Sequence, residues 1–229
     1  MFRNVLILPK GNEMVTKNKA IDKLKKLETN ASEPDQMMNI AHQIMEEVGD
    51  KDWAINVFKK SIELAQDHYD PVDMLRRISQ SIIDNLGDYD WADSIISGVF
   101  SDKNTDAKGK INCAYFYSCF ADNENFIKKS IKLYTDCLKL SKELSSEVLY
   151  QNASGIFHTL NQKELAIKYL VSAEKCVESP WDYIFIAKEY YGMDDKKNAK
   201  KLSDLGLAKC DDKDEKDSLK NEIKDYMNQ

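Results

Sequence analysis

The sequence predicts an all-α fold built from a stack of helix pairs. A motif repeats: Gly49-Asp50-Lys51-Asp52-Trp53-Ala54 returns 38 positions later as Gly87-Asp88-Tyr89-Asp90-Trp91-Ala92, and a period of that length is typical of helical-repeat proteins. Apolar residues also recur at spacings of three and four along the chain, as on one face of a helix. With 8 Gly and 4 Pro in 229 residues, the chain has little material for β-turns or long linkers.

The order of elements follows from where this apolar pattern is interrupted. Residues 14–28 predict a lone amphipathic helix with Ala20, Leu24 and Leu27 on one face. Five helix pairs then follow, over residues 34–65, 71–99, 108–144, 146–179 and 180–210. The turns within the pairs are predicted at Gly49-Asp50, Gly87-Asp88, Asp122–Asn125, Asn161-Gln162 and Met193–Lys196. Residues 219–227 predict a final helix that caps the stack, as helical arrays require.

Residues 1–13 predict a short N-terminal extension, followed by one domain over residues 14–229. Lys10-Gly11 is the dipeptide that a purine-rich bacterial ribosome-binding site encodes when it is translated, and Met14 follows at a suitable distance. The hypothesis is that translation begins at Met14. N-terminal mass spectrometry of the native protein tests this, and a peptide containing Leu6 to Lys10 contradicts it.

Charge and cysteine content restrict the environment and the partners. The formal net charge of −6 and a sequence pI near 5.3 disfavour binding to a phosphate backbone, so no nucleic-acid partner is expected. The five cysteines include no CxxC pair, and this predicts reduced thiols in a cytoplasmic protein. The apolar run before Pro9 is too short for a signal peptide or a membrane span, so no membrane association is expected.

The last two full pairs have the spacing of a known repeat. Tyr150, Ala153, Ser154 and Phe157 are followed by Ala166, Leu170 and Ala173, and then by Tyr183, Ala187, Tyr190, Ala199 and Gly206. This pattern resembles the tetratricopeptide repeat, with its W-x2-L-G-x2-Y and A-x3-F segments. The resemblance covers about residues 34–210 and implies a right-handed superhelix. A different helix-pair solenoid, such as a HEAT-like array, is the alternative.

The sequence contains no arrangement of residues that predicts catalysis. His42, His68 and His158 are scattered, and there is no HExxH, P-loop or GxSxG motif. Residues 102–106 alternate acidic and amide side chains like a calcium loop, but Ala107 replaces the required glycine and Cys113 replaces the closing glutamate. The sequence therefore predicts a non-enzymatic protein without a metal or cofactor.

The tetratricopeptide resemblance implies a concave face, lined by the first helix of each pair, that holds an extended peptide or a partner helix. By spacing, this face takes in the following residues: Asn39, Gln43, Arg77, Asn112, Phe116, Gln151, His158, Trp181, Ile184, Lys188 and Tyr191. The expected function is a protein–protein interaction module with a protein or peptide partner. Two alternatives remain: a solvated inner face without a ligand, and a structural role in which the aromatic end packs against another copy of the chain.

Overall fold

The structure, a computed structural model, describes residues 11–228, with side chains from residue 15 onward. Within that range it contains twelve helices, one π-helical segment and one 3₁₀ segment, and no strand. Consecutive helices pack in pairs, so the prediction of an all-α, solenoid-like fold is confirmed. The chain divides into two compact units, of which the first ends at Gly98 and the second begins at Val99.

The first unit holds a single helix followed by two helix pairs. Its helices are α1 (Gly11–Asn30), α2 (Pro34–Gln43), α3 (Lys51–Ala65), α4 (Pro71–Leu86) and α5 (Tyr89–Ser101, whose last residues lie beyond Gly98), and the π-helical segment Ile44–Val48 continues α2. Helix α1 packs against α2 and this segment. On its predicted apolar face Leu24 is fully buried, but Leu27 is 41% exposed, so the prediction for that face is only partly right.

Helix α1 begins before the predicted position of residue 14. Its first residue, Gly11, belongs to the segment that the sequence assigned to an extension. Residues 1–10 lie outside the described range. The proposed start at Met14, and the division at residues 13 and 14, therefore stay predictions.

The second unit contains three helix pairs and a last helix. The pairs are α6 (Ala107–Ser118) with α7 (Glu124–Cys137), α8 (Ser146–His158) with α9 (Lys163–Ala173), and α10 (Pro180–Gly192) with α11 (Lys196–Lys209). A 3₁₀ segment, Leu138–Glu143, follows α7, and α12 (Lys213–Met227) packs against α10 and α11. The first helices of successive pairs are neighbours, since α8 contacts both α6 and α10.

The repeated Gly-Asp dipeptide forms a tight turn between the two helices of a pair. Gly49 and Gly87 have φ of 70° and 66°, the left-handed conformation that ends a helix and that glycine adopts without strain. The following aspartate begins the next helix, because a carboxylate oxygen of Asp50 accepts from the backbone N–H of Trp53 at 3.0 Å. Asp88 and Trp91 repeat this bond at the same distance. The motif is therefore a capping signal used twice.

The fifth pair makes the same turn with different residues. Asp194 takes the left-handed conformation with φ of 61°, and Asp195 caps α11 by accepting from the backbone N–H of Asn198 at 3.1 Å. Asparagine and aspartate tolerate positive φ better than other non-glycine residues. The turn geometry is thus kept although the glycine of the first unit is not.

Small residues bring the paired helices of the second unit close together. A methyl group added at Gly206 would lie 2.9 Å from the terminal carbon of Ile184 and 3.0 Å from the carbonyl oxygen of Pro180. Neighbouring pairs are joined by a buried hydrogen bond, in which the Tyr169 hydroxyl donates to the Tyr134 carbonyl oxygen at 2.8 Å. Because of these contacts the helices of the second unit pack closely, and the surface side chains of α8 and α10 lie on a well-packed core.

Candidate binding surfaces

The first unit has a polar cleft between its two first helices, α2 and α4. The cleft has a volume of about 420 Å³ and is lined by Met38, Asn39, His42, Arg76, Arg77, Gln80, Ser81, Asp84 and Asn85. Two of the predicted site residues, Asn39 and Arg77, therefore line the same cleft. Gln43 is half-buried on α2 and is not part of this lining.

The two arginines and the histidine of this cleft already have partners within the unit. Arg77 holds Asp35 in a two-pronged ion pair, with N–O distances of 2.7 Å and 3.2 Å, and Arg76 donates to Asp73 at 2.8 Å. The His42 ring nitrogen Nδ1 lies 2.6 Å from Oδ1 of Asn85. The cleft therefore offers amide and hydroxyl groups together with the carboxylate of Asp84, which accepts from Gln80 at 2.9 Å.

The second unit carries a group of partly exposed aromatic rings on the neighbouring helices α8 and α10. Phe185 lies between Tyr150 and Trp181, with ring centroids 5.6 Å and 5.7 Å apart and planes inclined by 32° and 29°. All three rings are half-buried. We call these three residues the aromatic stripe. Rings arranged in this way offer a broad apolar contact area and π faces at little entropic cost.

Three carboxylates share the two helices of the stripe, Glu147 on α8 and Asp182 and Glu189 on α10, and are called the acidic rim. The pKa of the Tyr150 hydroxyl is raised by burial and further by the negative charges of all three rim residues. Each of them is therefore close enough to act on this ring electrostatically. In the described part of the chain, none of the three forms an ion pair with a lysine or arginine.

Glu189 lies in the least favourable environment of the three. It is half-buried, and burial raises the pKa of its carboxyl although a hydrogen bond with Ser154 and the charges of His158 and Lys188 oppose the shift. The ammonium group of Lys188 instead pairs with Glu222 at 2.8 Å. Glu189 is thus a partly desolvated carboxylate that forms no ion pair with a lysine or arginine among the described residues.

The last helix engages two of the predicted site residues. Lys188 forms its ion pair with Glu222 of α12, and the Tyr191 hydroxyl donates to the carbonyl oxygen of Met227 at 3.0 Å. The Tyr191 ring also contacts that of Tyr226, with centroids 5.5 Å apart. Both side chains thus contact the capping helix, while Lys188 stays exposed and Tyr191 half-buried, so their role in binding a partner stays a prediction.

Two further predicted site residues are core residues. Phe116 and Ile184 are both 0% exposed. Phe116 packs among the rings of Tyr117, Phe120 and Phe126, with centroids 5.2 to 6.2 Å from its own. Neither residue can contact a partner on the surface. The sequence misplaced Phe116 because α6 is buried on most of its circumference, so spacing along the helix does not separate an inner face from the core.

The remaining predicted residues lie at the surface without forming one cluster. Gln151 and His158 are exposed on α8, and Asn112 is half-buried on α6. Gln151 donates to Glu147 of the acidic rim at 3.0 Å. Of the predicted set in this unit, Trp181 alone belongs to the aromatic stripe.

Sequence reasoning did not select Tyr150, Phe185 or Glu189 as site residues. A signal was present, because Trp181, Phe185 and Glu189 follow each other at intervals of four residues, which places them on one face of α10. Tyr150 was recognised only for its place in the repeat pattern. Its position beside Phe185 follows only from the way α8 and α10 pack.

The described residues show no candidate metal centre. They contain no group of three or more histidine, cysteine or acidic side chains placed to hold a metal ion. The structure shows all five cysteines as free thiols. None of the helices described combines the length and the apolar character needed to cross a bilayer.

Comparison with known proteins identifies no family for this chain. No protein-family model matches the chain. No curated protein matches it either. Among solved structures, the chain is similar to the crystal structure of BtubC (BKLC) from P. vanneervenii, with a TM-score of 0.36 and 14% sequence identity over 85% of this chain and 88% of that chain. At that level of similarity the match supports no inference about fold or function.

Proposed function

We propose that this protein is a non-enzymatic, tetratricopeptide-like interaction module that binds a peptide or partner helix on the first helices of its second unit. The aromatic stripe is the observation that carries the proposal. Its three half-buried rings lie on two adjacent helices, and clustered aromatic residues of this kind supply most of the binding energy in protein interfaces. The free thiols favour a cytoplasmic location.

The packing around the stripe supports binding rather than a purely structural role. Helices α8 and α10 are held from behind by α9 and α11, so the rings are positioned before any partner arrives. A preformed surface loses little entropy on binding. The exposed part of these half-buried residues is available to a chain that runs across α8 and α10.

Site-specific photocrosslinking in the native cells tests this proposal. A benzophenone amino acid replaces Phe185 in the stripe and, as a control, Tyr69, which is 94% exposed in the first unit. We expect a crosslinked partner from position 185 and not from position 69, and we expect Trp181→Ala to weaken binding of that partner roughly 30-fold.

Two results contradict the proposal. Equal crosslinking from both positions, or none from position 185, shows that the stripe does not bind a partner. Crosslinks from position 185 to a second copy of the chain, with a dimer in analytical ultracentrifugation, establish self-assembly as the function of this surface.

A further inference from the structure

The charge around the aromatic stripe specifies the kind of partner that it fits, and this inference rests on the proposed function. The three rim carboxylates all act on Tyr150, and Asp182 and Glu189 share α10 with Trp181 and Phe185. An acidic segment placed over the rings would meet three like charges. A cationic segment would meet both opposite charge and π faces.

The rim carboxylates differ in how much of their hydrogen-bonding capacity is already used. Oδ2 of Asp182 accepts from the backbone N–H groups of Glu178 and Ser179, at 2.9 Å and 3.0 Å, and so caps α10. Oε1 of Glu147 accepts from Gln151. Glu189, four residues after Phe185 on α10, has a hydrogen bond with Ser154 and the nearby charge of His158, but it is half-buried and Lys188 pairs with Glu222 instead. A cation is therefore most favourable beside this carboxylate.

A guanidinium group satisfies both parts of the surface. It stacks flat on aromatic rings and at the same time donates paired hydrogen bonds to a carboxylate. A lysine ammonium is more strongly hydrated and lacks the planar fork, so it fits less well. We propose that the aromatic stripe and Glu189 together bind an arginine side chain of an extended partner segment.

Nuclear magnetic resonance of the full-length chain with two defined peptides tests this. The probe is an acetylated, amidated Gly-Arg-Gly-Arg-Gly peptide, and its control replaces both arginines with citrulline, which has the same shape without the charge. The readout is the ¹⁵N-labelled indole of Trp181, with Trp53 and Trp91 of the first unit as internal references. We expect the arginine peptide to shift the Trp181 signal in a saturable way and the citrulline peptide to bind at least about tenfold more weakly.

A matched pair of variants assigns the effect to the rim. Glu189→Gln removes the half-buried charge, whereas Glu164→Gln removes an exposed charge from the first turn of α9 in the same unit. We expect Glu189→Gln to weaken the arginine peptide about tenfold and Glu164→Gln to leave its affinity unchanged.

Several outcomes overturn the inference. These are equal affinity for the two peptides, no shift of Trp181 at millimolar peptide, shifts of the same size at Trp53 and Trp91, and equal effects of the two variants. If photocrosslinking at position 185 still captures a partner, the proposed function stands and only the arginine preference is wrong. If the chain forms a dimer, and the shift of the Trp181 signal arises from dissociation of that dimer, a second copy is the occupant of the stripe. The arginine inference is then also wrong.

Discussion

Two glycines at equivalent helix positions allow the close packing of α10 and α11 to be measured. Gly155 in α8 and Gly206 in α11 each lie three residues before the last residue of their helix. An alanine methyl group at Gly155 meets no atom within 4 Å, whereas at Gly206 it lies 2.9 Å from Ile184, 3.0 Å from Pro180 and 3.2 Å from Tyr183. Because the helical environment is matched, the two substitutions differ mainly in these contacts.

The magnitude follows from two opposing effects. Replacing glycine by alanine within a helix stabilises it by about 0.8 to 1 kcal/mol, and this gain is common to both variants. Overpacking a closely packed interface costs about 1 to 3 kcal/mol, and only Gly206→Ala incurs it, because Ile184 is fully buried and the Pro180 oxygen belongs to the backbone. We therefore expect Gly155→Ala to raise the free energy of unfolding by about 0.8 to 1 kcal/mol and Gly206→Ala to lie about 1 to 3 kcal/mol below it.

Urea unfolding monitored by circular dichroism at 222 nm measures both values on the full-length chain. The wild-type protein is the common reference, and the slope with urea shows whether a variant alters the native state. Equal stabilisation by the two substitutions would refute the reasoning. It would mean that α10 and α11 do not approach as closely as the structure describes.

Three further predictions concern a buried charge, a turn and a hydrogen bond. The folded-state pKa of Glu189 lies above its ordinary value, so the folded protein loses stability as pH rises from the ordinary pKa through the raised one and the carboxyl ionises. We expect Glu189→Gln to raise the melting temperature at pH 7, and we expect this gain to vanish at low pH, where the carboxyl is protonated. A gain that does not depend on pH would contradict this. Asp88→Ala removes the cap on the backbone N–H of Trp91 and should lower the free energy of unfolding by about 1 kcal/mol. If urea unfolding shows no loss of stability in this variant, the cap contributes nothing. Tyr169→Phe removes the hydroxyl donor to the Tyr134 carbonyl, which still accepts from the backbone N–H of Leu138, and should lower the free energy of unfolding by about 0.5 to 1.5 kcal/mol, measured in the same assay; an unchanged value would show that this bond adds no stability.

The charge of Glu189 links stability to the proposed function. A half-buried carboxylate without a lysine or arginine in an ion pair reduces the stability of the folded chain, and such costs are common at functional sites. If Glu189→Gln both stabilises the protein and weakens the arginine peptide, the same residue accounts for both effects. If the variant changes stability alone, Glu189 has no part in binding.

The helices and their turns could be predicted from the sequence because the signals for them are local. Gly49-Asp50 and Gly87-Asp88 encode a left-handed helix end and an N-cap within two residues each, and the structure uses both in this way. Apolar spacing similarly placed Leu24 on the buried face of its helix, and Ala153 and Ala187 of the tetratricopeptide-like pattern are buried as well. These features depend on residues no more than four positions apart, so a single sequence contains them.

The candidate surface could be predicted only in part, because exposure depends on which helices come to lie beside each other. Spacing assigned Phe116 and Ile184 to an open face, but neighbouring helices enclose both of them. Tyr191 was also expected to face a partner, yet its hydroxyl bonds to α12, 36 residues further along the chain. No local pattern encodes that contact.

By itself, the sequence determined an all-α chain of helix pairs, the positions of their turns and the acidic, apolar and aromatic character of each segment. Tertiary structure decided which of those side chains remain at the surface together. It placed Tyr150 of α8 beside Phe185 of α10 and enclosed Phe116. The physical reason is that helix formation and capping are governed by neighbours in sequence, whereas burial and the assembly of a surface are governed by packing between residues distant in sequence.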